Sequence, residues 1–304
     1  MADQPTQLSR WQIWMLAARP KTLPAAASPV VIGSAVAYWD GYFRLGPALA
    51  TLLAALLLQI GANLANDVFD FHRGADTAER LGPTRVTQAG LLAPRQVTMG
   101  MWVCFGLAAL LGVYLTLVSG WPVVLIGLAS IAAAIAYTGG PFPLGYYGLG
   151  DLTVFIFFGL AAVCGTYYIQ ALKFSWLALW SSLPMGFLIT AILVVNNLRD
   201  IDTDRAAGKH TLAVRLGVKG TRWEYLLLVA WAFVVPPIIW LSGLAPAWVL
   251  IAWLSIPLGV SLVRDVWTKK GRPLNKALGG TGQLALLFSL LFSLGLVIGF
   301  FRLP

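Results

Sequence analysis

The chain contains few charged side chains for its length. Of its 304 residues, 11% are Asp, Glu, Lys or Arg, whereas soluble domains carry about 25%. Apolar residues make up 59% of the chain, and the mean hydropathy is +0.78. So few charges cannot cover a water-exposed globular surface. The composition therefore indicates an integral membrane protein and argues against a soluble enzyme.

Cysteine and histidine are also scarce. Cys104 and Cys164 lie inside separate apolar runs and form no CxxC pair, which argues against a disulfide framework and a cysteine metal site. His72 and His210 have no second metal-binding side chain at ligand spacing. The N-terminal residues lack the pattern of a secretory signal, so we expect insertion to begin with the first spanning helix and no segment to be removed.

Acidic residues are fewer than basic ones, 12 against 21, and the formal net charge is +9. In such an apolar chain, a basic excess is typical of cytoplasmic loops next to membrane lipid. We therefore expect no nucleic acid partner. With a cytoplasmic N-terminus, all the Lys and Arg except Arg44, Lys173 and Arg302 fall on the inner side.

Nine apolar stretches approach the length of about 20 residues that a membrane-spanning helix needs. No low-complexity linker separates them, so we predict one all-α membrane domain over residues 1–304, with acidic cytoplasmic loops at about 66–96 and 197–222. The predicted spans are residues 23–39, 47–65, 97–118, 122–138, 149–170, 176–196, 223–242, 245–263 and 283–301.

The few acidic residues are concentrated in two segments, NDVFDFHRGAD at 66–76 and NNLRDIDTD at 196–204. Charges at a membrane edge are costly unless they are paired or functional. Helical spacing of three and four predicts two polar stripes that point into the bundle, and it leaves Asp202 off the second stripe. The stripes include Asn66, Asp67 and Asp70 in the first segment, and Asn197, Asp200 and Asp204 in the second.

Carboxylates that share one cavity either bind protons or are held together by cations. Oxygen ligands without nearby cysteine favour Mg²⁺, which binds a few carboxylates together with substrate phosphate oxygens. Arg73, Arg85 and Lys209 follow the two segments and supply positive charge for an anion. We therefore predict a lipid diphosphate substrate that ionises at its allylic carbon. The alternatives are solvated loop carboxylates and basic residues that only fix topology.

Both acidic segments resemble the Asp-rich signatures of the UbiA superfamily of intramembrane aromatic prenyltransferases. The similarity extends to GPTRVTQAG at 82–90 and to GKHTLAVRLG at 208–217. Two further stretches, RPKTLPAAASPVVIGSA and YTGGPFPLGYYGLGD, are similar to the branch that acts on 1,4-dihydroxy-2-naphthoate in menaquinone biosynthesis. The resemblance covers the first six predicted spans and the loop to the seventh.

This resemblance implies a nine-helix bundle around a central cavity in a prokaryotic plasma (inner) membrane, with the N-terminus and the active-site loops in the cytoplasm. It implies transfer of a polyprenyl group from polyprenyl diphosphate to 1,4-dihydroxy-2-naphthoate, with loss of CO₂ and diphosphate, to give demethylmenaquinol. The implied Mg²⁺ ligands are Asp67, Asp70, Asp76, Asp200 and Asp204, of which all but Asp76 are the implied catalytic residues.

The charge pattern and the resemblance together predict residues that bind the two substrates. Those on the diphosphate side are Asn66, Asn197, Arg73, Arg85 and Lys209. The aromatic acceptor is expected near the first span and the loop after the fourth, where the candidates are Arg19, Lys21, Tyr137 and Tyr147.

Three alternatives remain open from the sequence. Another aromatic acceptor, such as 4-hydroxybenzoate, homogentisate or a porphyrin-type ring, would preserve the prenyl chemistry. An ion-coupled transporter would also use membrane carboxylates, although such proteins place them near the bilayer midplane. A carrier of lipid or quinone would use the cavity but would leave the carboxylates unexplained.

Overall fold

The computed structural model describes residues 8–74 and 81–301, and all regular secondary structure in these ranges is helical. A helix satisfies its backbone hydrogen bonds internally, as a segment in lipid must. The helices are α1 Arg10–Ala18, α2 Leu23–Trp39, α3 Leu45–His72, α4 Pro94–Ser119, α5 Pro122–Ala136, α6 Gly150–Ala171, α7 Trp176–Arg199, α8 Ile201–Ala206, α9 Leu212–Leu241, α10 Ala247–Thr268 and α11 Leu274–Phe300.

The predicted all-α membrane bundle is confirmed. Eight segments of the described chain are long and apolar enough to cross a membrane, the first of them joining α1 and α2 through the short helical turn Pro20–Thr22. Helix α5 corresponds to the fourth predicted span, residues 122–138, but has only 15 residues. The protein is therefore a multi-pass membrane protein.

Local sequence explains where several helices begin. Thr211 caps α9, because its hydroxyl accepts a hydrogen bond from the Val214 N–H at 3.2 Å. Ser175 caps α7 in the same way through the Ala178 N–H at 3.3 Å. Pro94 and Pro122 occupy the first helical positions of α4 and α5, where proline loses no helical hydrogen bond.

Two helices near the acidic segments extend well beyond the predicted spans. Helix α3 continues seven residues beyond the predicted end at residue 65 and carries the first acidic segment to His72. Helix α9 begins at Leu212, well before residue 223, and is broken at Gly217, which has φ 67° and ψ 176°. Polar helical turns at a membrane edge have no hydropathy signal, so apolar length alone underestimates both helices.

Two packed clusters of buried side chains hold the bundle together. The larger joins α2, α6, α7, α9, α10 and α11, and the smaller joins α1, α3 and α4. Within the larger cluster, α6 contains a π-helical stretch, Phe155–Ala161, at its contact with α7. A Cβ atom on Gly159 would lie 2.7 Å from the Cα of Gly186, so glycine permits this close approach.

Candidate active site

A cavity of about 750 Å³ lies inside the bundle and is lined mainly by α2, α3, α4, α5, α6 and α7. Its walls are predominantly small and apolar, as at Ala54, Ala109, Gly112 and Ile126. The ends of α3 and α7 contribute its polar mouth. The residues of the two acidic segments that line the cavity are Asn66, Asp70, Asn196, Asn197, Arg199, Asp200, Thr203 and Asp204.

Helix α3 directs Asn66 and Asp70 into the cavity because residues four apart share a helix face. Asp67 is not among the cavity-lining residues. Its buried carboxylate accepts hydrogen bonds from the backbone N–H groups of Val86 at 3.1 Å and Thr87 at 3.2 Å. The structure therefore does not bring Asp67 to the cavity beside Asp70, as the polar stripe predicted, but uses it to anchor the following loop.

Asp70 contacts a basic and an aromatic side chain at the mouth of the cavity. Arg85 donates to its Oδ2 at 2.9 Å, and the Tyr146 hydroxyl donates to its Oδ1 at 2.7 Å. The neighbouring Asn66 accepts a hydrogen bond from the Thr138 hydroxyl at 2.9 Å. The loop that Asp67 anchors thus places Arg85 at the mouth of the cavity, where its guanidinium pairs with Asp70.

The second acidic segment lies where α7 ends and α8 begins. Asp200 accepts two hydrogen bonds from the adjacent Arg199. Arg199 Nε donates to Oδ1 at 2.8 Å, and Nη2 contacts Oδ2. The same guanidinium donates to Asn275 Oδ1 at 2.7 Å and to Asn196 Oδ1 at 2.8 Å. Asn275 in turn donates to the backbone carbonyl of Leu81 at 2.9 Å. Arg199 therefore fixes the orientation of Asp200.

Lys209 lies between the two acidic segments. Its Nζ is 3.5 Å from Asp204 Oδ1 and 3.9 Å from Asp70 Oδ1, and it lies 4.6 Å from the centre of the Tyr146 ring. Burial raises the pKa of Asp204 to about 6, an effect that Lys209 opposes and Asp200 reinforces. The fold thus brings together the two segments that the sequence predicted to share one site.

The tyrosines only partly follow the prediction. Tyr137 lines the cavity. The pKa of its hydroxyl is raised mainly by burial and, to a smaller extent, by the negative charge of Asp151. Tyr147 points elsewhere: it is 41% exposed and stacks on Phe142 with ring centres 4.0 Å apart. Its neighbour Tyr146 reaches Asp70 instead. The loop has no periodicity that would distinguish adjacent tyrosines, so the sequence could not make this choice.

Several other predicted residues lie outside the cavity wall. Lys21 is exposed, whereas Arg19 lines the cavity from a left-handed backbone conformation with φ 52°. Arg73 contacts the carbonyl of Gly140 and lies 5.5 Å from the Tyr146 ring centre. Asp202 is 91% exposed, as expected for a residue off the stripe. Asp76 lies outside the described residues.

The profile of the UbiA prenyltransferase family matches residues 26–291. This chain belongs to the UbiA prenyltransferase family. The resemblance found in the sequence is thereby confirmed.

UbiA-family relatives match almost the whole chain. The 1,4-dihydroxy-2-naphthoate octaprenyltransferase of Mycobacterium tuberculosis is 41% identical over 94% of this chain and 97% of its own length. The enzyme of the same name from Escherichia coli is 38% identical over 96% and 97%. A UbiA homolog from Archaeoglobus fulgidus bound to GPP and Mg²⁺ has the same fold, with a TM-score of 0.69, 15% identity and coverage of 94% and 99%.

The oxygen donors at the mouth fit a hard divalent cation. Asp70, Asp200 and Asp204 offer carboxylates, and Asn66 and Asn197 offer amide oxygens. Among the described residues, no three acidic, histidine or cysteine side chains are close enough to form a ready-made metal site. Such a donor set suits Mg²⁺, which takes one or two carboxylates and completes its shell with phosphate oxygens.

A second polar patch lies farther along the cavity wall, beside Arg19. Asn63 donates to Thr22 Oγ1 at 2.9 Å and to the carbonyl of Ala18 at 3.0 Å. Gln59 donates to the same threonine oxygen at 3.3 Å. The patch joins the start of α2 to α3 and adds polar groups to the wall of the cavity.

Proposed function

We propose that this protein transfers a polyprenyl group from its diphosphate to 1,4-dihydroxy-2-naphthoate, releasing diphosphate and CO₂ and forming demethylmenaquinol. The observation that carries the proposal is the meeting of two acidic segments and their basic partners at the mouth of an apolar cavity. The acceptor is supported by relatives that bear this activity in their names and match the chain over nearly its full length.

The diphosphate binds at the mouth and its prenyl chain along the apolar wall. Asp70, Asp200 and Asp204, with Asn66 and Asn197, would hold Mg²⁺, which would neutralise the charge that develops on the leaving diphosphate. Arg85 and Lys209 bind diphosphate oxygens directly. In this assignment Asp67 positions the loop of Arg85 and is not a metal ligand.

Reaction begins when the allylic C–O bond breaks and its electron pair leaves with the diphosphate. The aromatic faces of Tyr137 and Tyr146 stabilise the allylic cation, and the apolar walls exclude water that would capture it. The electron-rich acceptor ring then forms the new C–C bond at the carbon that bears its carboxylate. CO₂ departs, and the electron pair of the broken ring–carboxylate bond stays behind and restores the aromatic ring.

The acceptor is placed by the patch of Arg19, Thr22, Gln59 and Asn63. The guanidinium suits a carboxylate, and the neighbouring amides and hydroxyl suit the ring hydroxyls. Lys21 and Tyr147, which the resemblance also suggested, lie outside the cavity and are not assigned to the acceptor. The N-terminus and the acidic mouth are proposed to face the cytoplasm of a prokaryote, with the protein in its plasma membrane.

Purified protein in lipid nanodiscs should form demethylmenaquinol from Mg²⁺, a polyprenyl diphosphate and 1,4-dihydroxy-2-naphthoate, as identified by mass spectrometry. Asp70→Asn and Asp200→Asn should each lower kcat at least about 100-fold, because each removes charge that binds the metal–diphosphate complex. Asp265→Asn is the matched control. Asp265 Oδ1 lies 2.7 Å from Lys269 Nζ, and this ion pair is outside the cavity.

Turnover restricted to 4-hydroxybenzoate would overturn the acceptor assignment and leave prenyl transfer intact. Ion flux that depends on Asp70, without product from any acceptor, would instead establish the transporter alternative.

A further inference from the structure

Each carboxylate that lines the mouth of the cavity already has a basic partner. Arg85 pairs with Asp70 at 2.9 Å, Arg199 grips Asp200 through two nitrogens, and Lys209 approaches Asp204 at 3.5 Å. Within the described residues, three carboxylates at the mouth are therefore matched by three cationic side chains. A free divalent cation that enters this site must compete with charges that the protein itself supplies.

The three cationic side chains differ in how firmly they are held. Arg199 is 2% exposed, and its guanidinium is fixed by Asn196 and Asn275 as well as by Asp200. Arg85 is 5% exposed and lies in the loop that Asp67 anchors through the next residue, Val86. Lys209 carries a single ammonium on a flexible four-carbon stem, which can turn without breaking a planar network of hydrogen bonds.

The backbone of Lys209 is fixed although its side chain can turn. Its N–H donates to the Asp204 carbonyl at 2.9 Å, after a turn in which Gly208 has φ 71°. The ammonium reaches Asp70 on one side and Asp204 on the other, so it joins α3 to the segment after α7. It lies where a cation shared by the two acidic segments would bind.

We infer that Lys209 is a resident cation that holds Asp70 and Asp204 together until the metal–diphosphate complex arrives, and that it then turns to the diphosphate. This inference rests on the proposed function and adds a binding order to it. The site binds metal weakly without diphosphate, because the metal must displace the ammonium. It binds metal tightly with diphosphate, because the released ammonium gains an anionic partner. This coupling between metal and diphosphate is reciprocal.

Removing the ammonium should therefore strengthen the binding of metal alone. A unit charge about 4 Å away changes binding by more than about tenfold, even at an effective dielectric constant of about 20. Lys209→Met, which preserves much of the side-chain volume, should bind Mn²⁺ alone at least about tenfold more tightly than the wild type. Lys209→Arg, which retains the charge, should bind Mn²⁺ as weakly as the wild type.

The experiment titrates the full-length protein in nanodiscs with Mn²⁺ and follows unbound Mn²⁺ by electron paramagnetic resonance. A second titration uses geranyl S-thiolodiphosphate, an analogue that resists ionisation, at saturating Mn²⁺. In this titration Lys209→Met should bind the analogue at least about tenfold more weakly, because it lacks the ammonium that turns to the diphosphate. Lys269→Met is the matched control, since that lysine pairs with Asp265 outside the cavity.

The inference is overturned if Lys209→Met binds Mn²⁺ alone no more tightly than the wild type, or if it binds the analogue equally well. Lys209→Arg tests the same point should the methionine variant not fold, because an Arg variant that gains affinity for Mn²⁺ alone would also contradict it. If the wild-type protein transfers prenyl groups and a variant gives either contrary result, the role of Lys209 as a resident cation is refuted and the proposed function stands.

Discussion

Asp67 and Asp70 lie one helical turn apart but have different partners. Asp70 faces the cavity, where it meets Arg85, Tyr146 and Lys209. Asp67 faces a loop and uses both carboxylate oxygens to accept backbone N–H groups. A buried carboxylate that accepts two backbone hydrogen bonds fixes local structure, so its effect on chemistry is exerted through the loop that carries Arg85.

Replacing Asp67 with Asn should reduce stability more than replacing Asp70 with Asn. The amide nitrogen of the new side chain cannot accept, so one of the buried N–H groups of Val86 and Thr87 loses its partner, at a cost of about 1–3 kcal/mol. Thermal unfolding in detergent should show a lower Tm for Asp67→Asn, while Mn²⁺ affinity in the presence of diphosphate falls less than in Asp70→Asn. An unchanged Tm with abolished metal binding would instead make Asp67 a ligand.

The sequence was informative about residues that combine charge with helical spacing. Asp70, Asp200, Asp204, Arg85 and Lys209 were predicted for the site, and the structure places all five at the cavity mouth. Arg199 and Tyr146 were missed. A buried Arg at an inner helix end looks like an ordinary topological charge, and a tyrosine in an irregular loop has no face that periodicity can predict.

At the scale of helices, α4 and α5 form a wall of the cavity that includes glycine residues. Gly112 in α4 and Gly127 in α5 line it, and a Cβ atom on either would meet no other atom within 4 Å. Leu117 lines the same wall and is 81% exposed, so the wall continues to the outer surface of the bundle. The cavity volume is within the range of about 300–1,000 Å³ that holds a drug-sized molecule, and a long prenyl chain must extend past this wall.

Gly127→Leu should therefore discriminate between prenyl donors by length. A Cβ at this position meets no other atom within 4 Å, and the rest of the leucine side chain narrows the path of the distal prenyl chain. We expect kcat/KM for a long polyprenyl diphosphate to fall at least about tenfold, equivalent to about 1.4 kcal/mol, with geranyl diphosphate little affected. Kinetic assays with both donors provide the measurement.

Gly106→Leu is the matched control for this experiment. Gly106 lies in the neighbouring helix α4. A Cβ there also meets no other atom within 4 Å, but Gly106 does not line the cavity. Equal losses with the short and the long donor would show that the Gly127 variant disturbs the mouth rather than the path of the chain.

The helix boundaries show which sequence signals are dependable. Pro122 marked the start of α5, and the structure ends the helix at Ala136, two residues before the predicted end. The start of α9 was missed because Thr211, its cap, lies in a polar stretch outside the hydropathy signal. Caps and prolines therefore locate helix starts better than apolar length does in this chain.

At the scale of the whole molecule, the distribution of Lys and Arg predicts the orientation in the membrane. Lys173 follows α6 on the predicted outer side, and Lys270 follows α10 on the predicted cytoplasmic side; both are exposed. After Cys104 and Cys164 are replaced by Ser, a single cysteine introduced at position 173 or at position 270 reports which side of the membrane that position faces.

Lys173→Cys should react with a membrane-impermeant maleimide in intact cells, whereas Lys270→Cys should react only after lysis or in inverted vesicles. Labelling is measured by the mass shift of the purified protein. The reverse pattern would place the acidic mouth outside the cell and contradict the proposed cytoplasmic site.

The convergence of the two acidic segments is the property of the whole molecule that periodicity could not predict. Each segment indicated a site, but their meeting depends on the packing of α3, α7 and the loops between helices. The charge pattern suggested a shared cation, and the structure shows that Lys209 contacts both segments.

The hydrogen bonds of Asn275 are contacts that the chain can make only late in its synthesis. A growing chain emerges N-terminus first, and Asn275, near the start of the last helix, links Arg199 to the carbonyl of Leu81. Both acidic segments are therefore synthesised before Asn275, the residue that connects Arg199 to Leu81. A chain that ends before Asn275 lacks the hydrogen-bond partner of Arg199 Nη1, and Arg199 is the residue that orients Asp200.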